Sequence, residues 1–337
     1  MNTNINKSIF LLGSVLSCTA CGNGEKEANP NVIEDLDITY AQGLAHDATS
    51  TDPFEVPLLL DVYYPADDST NRPVLMFIHG GGFTGGIKHK PEIIEMAEYY
   101  AERGWVFVSI DYRTTEELGS VDDMSLEEVT DYYTGIAPQE WVLNASEGSE
   151  TTKQLQQSIA MYAAQRDSKA ALRWIVANAS TYNIDIDYIS VGGASAGAIT
   201  TMALGISELE DFRDEISMDD DPTLSTTNLD ATYEVQSMVY FWGSKIKLDV
   251  FEMVYGLDRF DANDPELFMA HGDAEDPVTP YEGSLEVQDI YDSLGIHSEL
   301  VTLEGEGHGA WDATVDGKGL YELSYDFLVE RQGLNME

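Results

Sequence analysis

The ten residues YISVGGASAG, numbered 188–197, combine a short apolar run with one serine set among very small residues. Residues 193–197 match the pattern G-x-S-x-G, which is typical of a sharp turn from a buried strand into a helix. Such a turn holds the serine in strained backbone and lifts its hydroxyl out at the top of a sheet. Glycines two positions to either side are needed because strand and helix almost touch there. An ordinary glycine-rich loop has the same composition, so the rest of the chain must decide.

Apolar runs elsewhere predict further strands of the same sheet. Residues 73–79 (PVLMFIH) and 105–113 (WVFVSIDYR) are typical of strands buried on both faces. Residues 89–104 and 167–179 carry apolar side chains at helical spacing. Strands that alternate with helices predict an α/β fold with a mostly parallel twisted sheet and helices on both faces. The remaining predicted strands cover residues 58–65, 188–193, 237–243 and 266–272.

Two long connections interrupt this alternation. Residues 114–165 form a polar segment that contains several aromatic side chains, and a connection of that length is usually functional or partly helical. We interpret it as a cap-like insert that covers the mouth of a site. Residues 206–233 are strongly acidic, and we expect a solvated loop there.

The N-terminal residues predict export from a bacterial cell. Lys7 precedes the apolar stretch 9–16, which is too short to span a bilayer and has the proportions of a signal peptide. Residues 17–24 resemble a bacterial lipoprotein signal, in which Cys21 or Cys18 is lipidated; a plain cleaved signal is the alternative. We expect a signal peptide over 1–21, a flexible tether over 22–31 and one domain over 32–337. The domain is then secreted, or anchored to the envelope by lipid.

The composition excludes several classes of function. The 337 residues include 17 Lys and Arg against 61 Asp and Glu, a formal net charge of −44. Such a surface repels nucleic acid and anionic lipid, so we expect neither as a partner, and membrane attachment only through an N-terminal lipid. Both cysteines lie in the leader, which leaves the domain without a disulfide, a thiolate nucleophile or a cysteine-bound metal. Dispersed acidic residues are typical of a protein kept soluble in a saline habitat.

Three further motifs carry groups that suit a reaction centre, and the first two lie at the ends of predicted strands. In HGGGF, residues 79–83, the glycines allow backbone N–H groups to turn toward an oxyanion. HGDAEDPV, residues 271–278, places carboxylates at the carboxyl end of a strand, where open α/β sheets build their sites. GEGHG, residues 305–309, sets one histidine in a glycine-rich loop. Serine, aspartate and histidine therefore follow in the order Ser195, Asp276, His308.

Together with SIDYR, residues 109–113, these motifs resemble the α/β-hydrolase fold carboxylesterases. The similarity is to the branch with an HGGG segment, which includes hormone-sensitive-lipase-like and feruloyl-esterase-like enzymes, and it runs from about Leu58 to the C-terminus. Two departures are visible. Ala194 replaces an acidic residue often found before the nucleophile, and the acid loop is one residue longer than usual.

The resemblance implies a serine hydrolase that forms an acyl-enzyme on short to medium acyl or aryl esters. It assigns Ser195 as nucleophile, His308 as base and Asp276 as the acid that orients the imidazole, with no cofactor or metal. Asp273 and Glu275 lie in the same loop, and we expect Asp273 to brace it. The expected oxyanion hole consists of the N–H groups of Gly81, Gly82 and Ala196, and the expected substrate-binding residues are Phe83, Tyr132, Tyr133 and Trp141.

Two other functions remain open from the sequence. A peptidase or amidase shares this fold and its catalytic groups, although the chain has no room for a large N-terminal propeller. A non-catalytic binding protein on a hydrolase scaffold is the alternative from a different class, but such proteins usually lose the serine or the histidine. We expect His79 and His271 to have structural roles.

Overall fold

The computed structural model describes residues 29–47, 52–245, 248, 254 and 259–334. The predicted signal peptide and most of the predicted tether lie outside the described residues. Within the described part, no helix combines the length and the apolarity needed to cross a membrane.

Eight strands build the main sheet. They are β1 (Val32–Ala45), β2 (Phe54–Pro65), β3 (Arg72–Ile78), β4 (Val106–Ile110), β5 (Ile184–Ala194), β6 (Ser237–Phe241), β7 (Glu266–Gly272) and β8 (Ser298–Leu303). Their order across the sheet is β1-β2-β4-β3-β5-β6-β7-β8. β1, β2 and β4 pair antiparallel, and all pairs from β4 to β8 are parallel. The predicted, mostly parallel α/β sheet is confirmed.

Helices flank this sheet on both faces. The helices are α1 (Pro91–Ala101), α2 (Leu126–Tyr132), α3 (Gln139–Glu147), α4 (Thr152–Ala177), α5 (Ala179–Tyr182), α6 (Ala196–Ile206), α7 (Glu282–Leu294) and α8 (Leu320–Arg331). A short 3-10 helix (Pro222–Thr226) and a two-stranded ribbon of β9 (Thr314–Val315) and β10 (Lys318–Gly319) complete the described elements.

Alternating side chains of the central strands divide the interior into two apolar cores. In β3, Met76 and Ile78 face the core that holds α4 and α6, whereas Leu75 and Phe77 face the core that holds α1 and α8. This alternation follows from the two-residue period of a strand. Because both faces are covered, the central strands are continuous apolar runs, which is why the sequence reveals them.

The predicted insert boundary at residue 165 lies in the middle of a helix. α4 is one continuous helix of 26 residues, so its first half belongs to the insert and its second half packs under the sheet. A capping box of Thr151 and Gln154 fixes its start. At the sheet end, the buried Arg113 guanidinium contacts the Asp167 carboxylate at 2.6 Å, which ties α4 to the chain after β4.

The expectation of a solvated loop over residues 206–233 is only partly right, because Asp219 and Asp220 are exposed whereas Asp211 and Asp221 are buried. Buried cations of α4 hold this acidic connection: Arg166 pairs with Asp221 at 3.2 Å, and Arg173 donates to the main-chain oxygen of Thr227 at 2.7 Å. Burial of an unpaired charge is unfavourable, so the buried Asp221 carboxylate stabilises the buried Arg166 of α4.

Candidate active site

Ser195 occupies the turn between β5 and α6. Its φ and ψ angles are 56° and −118°, a backbone conformation that costs a non-glycine residue about 1–3 kcal/mol. A Cβ on Gly193 would lie 2.3 Å from the oxygen of Gly197, and one on Gly197 would lie 2.0 Å from the oxygen of Ile78. The two flanking glycines are therefore required by direct backbone contact.

The structure brings Ser195, His308 and Asp276 into one hydrogen-bonded chain. Ser195 Oγ lies 3.0 Å from His308 Nε2, and His308 Nδ1 lies 2.8 Å from Asp276 Oδ2. The carboxylate accepts the proton of Nδ1, so Nε2 is the nitrogen that accepts the serine hydroxyl. These side chains follow β5, β8 and β7, whose carboxyl ends meet at one edge of the sheet.

The Asp276 carboxylate is held ionised by donors in its own loop. Burial raises its pKa, but the N–H groups of Val278 and Thr279, the Thr279 hydroxyl and His308 all donate to it, and together they hold the pKa below the usual range. Thr279 Oγ1 also lies 3.0 Å from His308 Nδ1. The carboxylate is thus fixed in position as well as charged.

The other two carboxylates of this loop point elsewhere. Asp273 Oδ1 accepts from the N–H of Gly305 at 2.5 Å and so links the acid loop to the loop that carries His308. Glu275 is exposed. Among the described residues, no three His, Cys, Asp or Glu side chains form a group that could hold a metal ion.

Two further histidines are part of the framework. His271 is bound on both ring nitrogens, by Ser284 Oγ at 2.7 Å and by the oxygen of Thr279 at 2.8 Å, and it thereby anchors the acid loop. His79 stacks on Tyr112 at 4.4 Å between ring centroids, and burial lowers its pKa to about 4. A neutral, packed imidazole at this position shapes the glycine loop.

The glycine loop passes directly beside Ser195. A Cβ on Gly80 would lie 2.7 Å from the oxygen of Ala194, and Gly81 and Gly82 have φ angles of 147° and 62°. A Cβ on Gly81 would lie 1.8 Å from the oxygen of Gly85. On the other side of Ser195, Ala196 begins α6. Each of the three predicted oxyanion-hole residues thus lines a cavity that Ser195 also lines.

One cavity of about 350 Å³ lies between Ser195 and the insert, and we call it the insert cavity. Its lining contains amide, hydroxyl and apolar groups but no charged side chain. The lining residues are Gly82, Phe83, Asn144, Ala145, Gly148, Ser149, Gln154, Gln157, Ser158, Met161, Ser195, Ala196, Ile199, Ser244, Val278 and Thr279. Half of them belong to the insert, and the predicted Phe83 is among them.

Tyr132, Tyr133 and Trp141 do not line this cavity, in contrast to the expectation from the sequence. Tyr132 stacks on His46 at 4.0 Å, and Tyr133 and Trp141 are completely buried. The Trp141 indole donates to the oxygen of Ser158 at 2.7 Å. These aromatic side chains form the interior of the insert, because its short helices need an apolar core of their own.

A second cavity of about 360 Å³ lies on the opposite side of Ser195, and we call it the histidine cavity. It shares Gly82, Ser195 and Val278 with the insert cavity. Its other lining residues are Gly80, Gly81, Lys90, Glu92, Ile93, Ala194, Trp242, His308, Gly309 and Trp311. The indoles of Trp242 and Trp311 meet at 5.1 Å, nearly perpendicular, and form its apolar wall.

Gln157 connects the insert to the glycine loop, a contact that no sequence pattern indicated. Its Nε2 donates to the oxygen of Gly82 at 3.1 Å, and the side chain also lines the insert cavity. A glutamine on the polar face of a helix carries no local signal, because its partner is 75 residues away.

In this parallel part of the sheet, a strained serine follows β5, and a carboxylate and a histidine follow later strands. This arrangement defines an α/β-hydrolase of the serine type. The chain belongs to the BD-FAE family, a family of α/β-hydrolase esterases, whose model matches residues 60–124 and 152–290. Residues 125–151, which include α2 and α3, lie between the two matched segments.

Known proteins of similar fold are esterases. Propionate-bound esterase 2 of Thermogutta terrifontis has a TM-score of 0.58 and 20% identity over 91% of this chain and 97% of that one. A truncated carbohydrate esterase from gut microbiota has a TM-score of 0.57 and 19% identity over 89% and 96%. Para-nitrobenzyl esterase of Bacillus subtilis is 27% identical over 147 residues, 44% of this chain and 24% of that enzyme. The chain spans less than a quarter of the curated relatives it matches.

Proposed function

We propose that this protein hydrolyses carboxylic esters through an acyl-enzyme on Ser195. The observation that carries the proposal is the unbroken hydrogen-bonded chain from Ser195 through His308 to Asp276, beside a glycine loop. A free hydroxyl is a poor nucleophile, and an adjacent oriented imidazole is the group that activates it. Membership of an esterase family supports the same reaction.

In the first half-reaction, Ser195 Oγ attacks the ester carbonyl carbon while His308 Nε2 takes the hydroxyl proton. The carbonyl oxygen becomes an oxyanion, and the N–H groups of Gly81, Gly82 and Ala196 stabilise it. The bond from the carbonyl carbon to the alcohol oxygen then breaks, and the imidazolium returns its proton to that oxygen. Asp276 stabilises the imidazolium through the 2.8 Å contact to Nδ1.

In the second half-reaction, water replaces the alcohol. His308 takes a proton from the water as its oxygen attacks the acyl carbon, and then returns that proton to Ser195 Oγ as the acid leaves. The same imidazole thus serves both steps, as base and then as acid.

The positions of the two cavities assign the two halves of the substrate. The leaving alcohol must be within reach of His308 Nε2, and His308 lines the histidine cavity but not the insert cavity. The acyl group then occupies the insert cavity, next to Ala196 and Ile199. A mainly apolar, uncharged cavity of about 350 Å³ suits a short to medium or an aryl acyl group.

An organophosphonate tests the nucleophile. We expect one equivalent to label Ser195, as located by mass spectrometry, with simultaneous loss of hydrolysis of an aryl ester, and no labelling of Ser195→Ala. Labelling elsewhere, or ester hydrolysis that persists in Ser195→Ala, would contradict the proposal. A peptide amide measured in parallel decides against the peptidase alternative if only the ester is cleaved.

We also propose that the chain is exported and attached to the envelope through a lipidated Cys21. The support is the leader, in which Cys21 follows an apolar stretch and lies between Ala20 and Gly22. Incorporation of labelled fatty acid should be lost in Cys21→Ser and kept in Cys18→Ser. The reverse result would assign Cys18 as the lipidated residue. If the wild-type protein and both variants incorporate no fatty acid, the leader is a plain cleaved signal.

A further inference from the structure

The two cavities that meet at Ser195 differ in charge. The insert cavity has no charged lining residue, whereas the histidine cavity contains Lys90 and Glu92, both half-buried. Since the histidine cavity holds the leaving alcohol under the proposed function, the alcohol half of the substrate is the half that meets charged groups.

Lys90 is unusual among the basic residues of the described part of the chain. Most of them are ion-paired with a carboxylate; the exceptions there are Lys90, Lys153, Lys169 and Arg173. Lys169 and Arg173 donate to main-chain oxygens of the 206–233 connection, and Lys153 is exposed on the surface. Lys90 is thus the exception that borders the reaction centre.

The hydrogen bonding of Lys90 leaves donors available. Its Nζ lies 3.3 Å from the oxygen of Gly80, and an ammonium group has three N–H donors. Glu92 lines the same cavity but is not ion-paired with Lys90 in the described part of the chain. Because Lys90 lines a cavity at Ser195 and has no carboxylate partner among the described residues, an external anion can complete its hydrogen bonding.

We propose that the alcohol half of the substrate carries a carboxylate, which binds the Lys90 ammonium while the ester carbonyl lies at Ser195. This inference rests on the proposed esterase function. The formal net charge of −44 repels an anionic substrate at long range. A local cation at the site is therefore needed for such a substrate to bind. Trp242 and Trp311 provide the apolar wall for the carbon skeleton of the alcohol.

Two esters that share one acyl group test the proposal. The first is the butyrate ester of benzyl alcohol, and the second is the butyrate ester of 4-(hydroxymethyl)benzoate, which differs only by a carboxylate. The measured quantity is the ratio of kcat/KM for the carboxylate ester to kcat/KM for the neutral ester. We expect Lys90→Gln to lower this ratio about fivefold or more, the loss of one partly solvated charged contact.

Three further variants separate local binding from the general field. Lys153→Gln removes the same charge at an exposed position and should leave the ratio unchanged. Lys90→Arg should retain it, and Glu92→Gln should raise it, because a repelling carboxylate is removed. A ratio that Lys90→Gln leaves unchanged, or that Lys153→Gln lowers equally, would overturn the inference.

The neutral ester separates failure of the Lys90 proposal from failure of the proposed esterase function. If the wild-type protein hydrolyses it and the ratio does not respond to Lys90→Gln, only the inference on the alcohol fails. If the wild-type protein hydrolyses neither ester, the esterase proposal fails and the inference falls with it. Far-UV circular dichroism and Tm of each variant show whether the fold is retained.

Discussion

The carboxyl edge of the sheet and the insert meet at Ser195, but they hold their residues in different ways. At the sheet edge, Ser195 lies in a strained turn, and contacts of 2.8–3.0 Å join it through His308 to Asp276. In the insert, two capped helix starts and an aromatic interior hold uncharged side chains around a cavity. The edge supplies groups for a reaction, and the insert supplies a shaped volume.

This difference implies that the sheet edge determines the reaction, whereas the insert determines which substrates are preferred. The family model matches the segments that carry the glycine loop, Ser195 and Asp276, and leaves unmatched residues 125–151 as well as the residues after 290, which include His308. That unmatched segment contributes Asn144, Ala145, Gly148 and Ser149 to the insert cavity. Catalytic groups need rigid strand ends, whereas a loop insertion can change a cavity without moving them. We therefore expect substitutions at the edge to affect all substrates, and substitutions in the insert to affect some of them.

The largest expected effect is at Asp276. Asp276→Asn should reduce kcat by about four orders of magnitude, because an amide favours the wrong imidazole tautomer. Asp273→Asn is the matched control: Asp273 braces the loop through Gly305, and its loss should cost about 1 kcal/mol of stability while most activity remains. Kinetics and thermal melts of both variants check this. An exchange of the two outcomes would place the orienting acid at Asp273.

A second prediction at the sheet edge concerns His79 and the pH dependence of the free energy of unfolding. Because burial lowers the pKa of His79 from 6.5 to about 4, the unfolded chain binds a proton that the folded chain does not in this interval. The stabilisation by the neutral imidazole is fully present above pH 6.5 and is lost as the pH falls toward 4, by about 3 kcal/mol in all.

Urea unfolding at several pH values tests the role of His79. The wild-type free energy of unfolding should decrease between pH 6.5 and 4 more steeply than that of His79→Gln, by about 1.4 kcal/mol per pH unit at most. Equal slopes in the two proteins would show that another group is responsible.

In the insert, Ala145 lines the cavity from α3 and is a site for selective change. Ala145→Leu should fill part of the acyl volume and lower kcat/KM for hexanoate esters about tenfold relative to acetate esters. Leu143→Ala, on the exposed face of the same helix, is the control and should not change the profile. An unchanged chain-length profile in Ala145→Leu would show that the acyl group does not bind in the insert cavity.

The smallest expected effect lies where the two regions join. Gln157→Met keeps the side-chain length but removes the donor to the oxygen of Gly82, and we expect kcat to fall about fivefold with little change in KM. In the proposed mechanism, the glycine loop that Gln157 contacts stabilises the oxyanion of the transition state. Ser158→Ala, which changes the same cavity without that contact, is the control. Equal effects in the two variants would assign Gln157 to substrate binding alone.

The sequence by itself determined the central strands of the sheet and the candidate reaction centre. Strands buried on both faces leave continuous apolar runs, and the close contact of Gly193 and Gly197 with neighbouring backbone leaves glycines at fixed spacing. These requirements are local, so a short window of sequence contains them. The order Ser195, Asp276, His308 adds the chain order of the fold, and the structure brings the three side chains together.

Only the tertiary structure decided the contents of the insert and of the two cavities. Tyr132, Tyr133 and Trp141 were expected at a cavity wall but lie in the interior of the insert. The sequence shows that these side chains are apolar, but the hydrophobic effect does not specify which apolar surface they pack against. Strand β1 and the anchored connection 206–233 were likewise missed, since the partners of an edge strand and of buried cations come from distant segments. Gln157 at Gly82 and Lys90 at the histidine cavity became visible for the same reason: their neighbours are set by packing across the fold, not by sequence proximity.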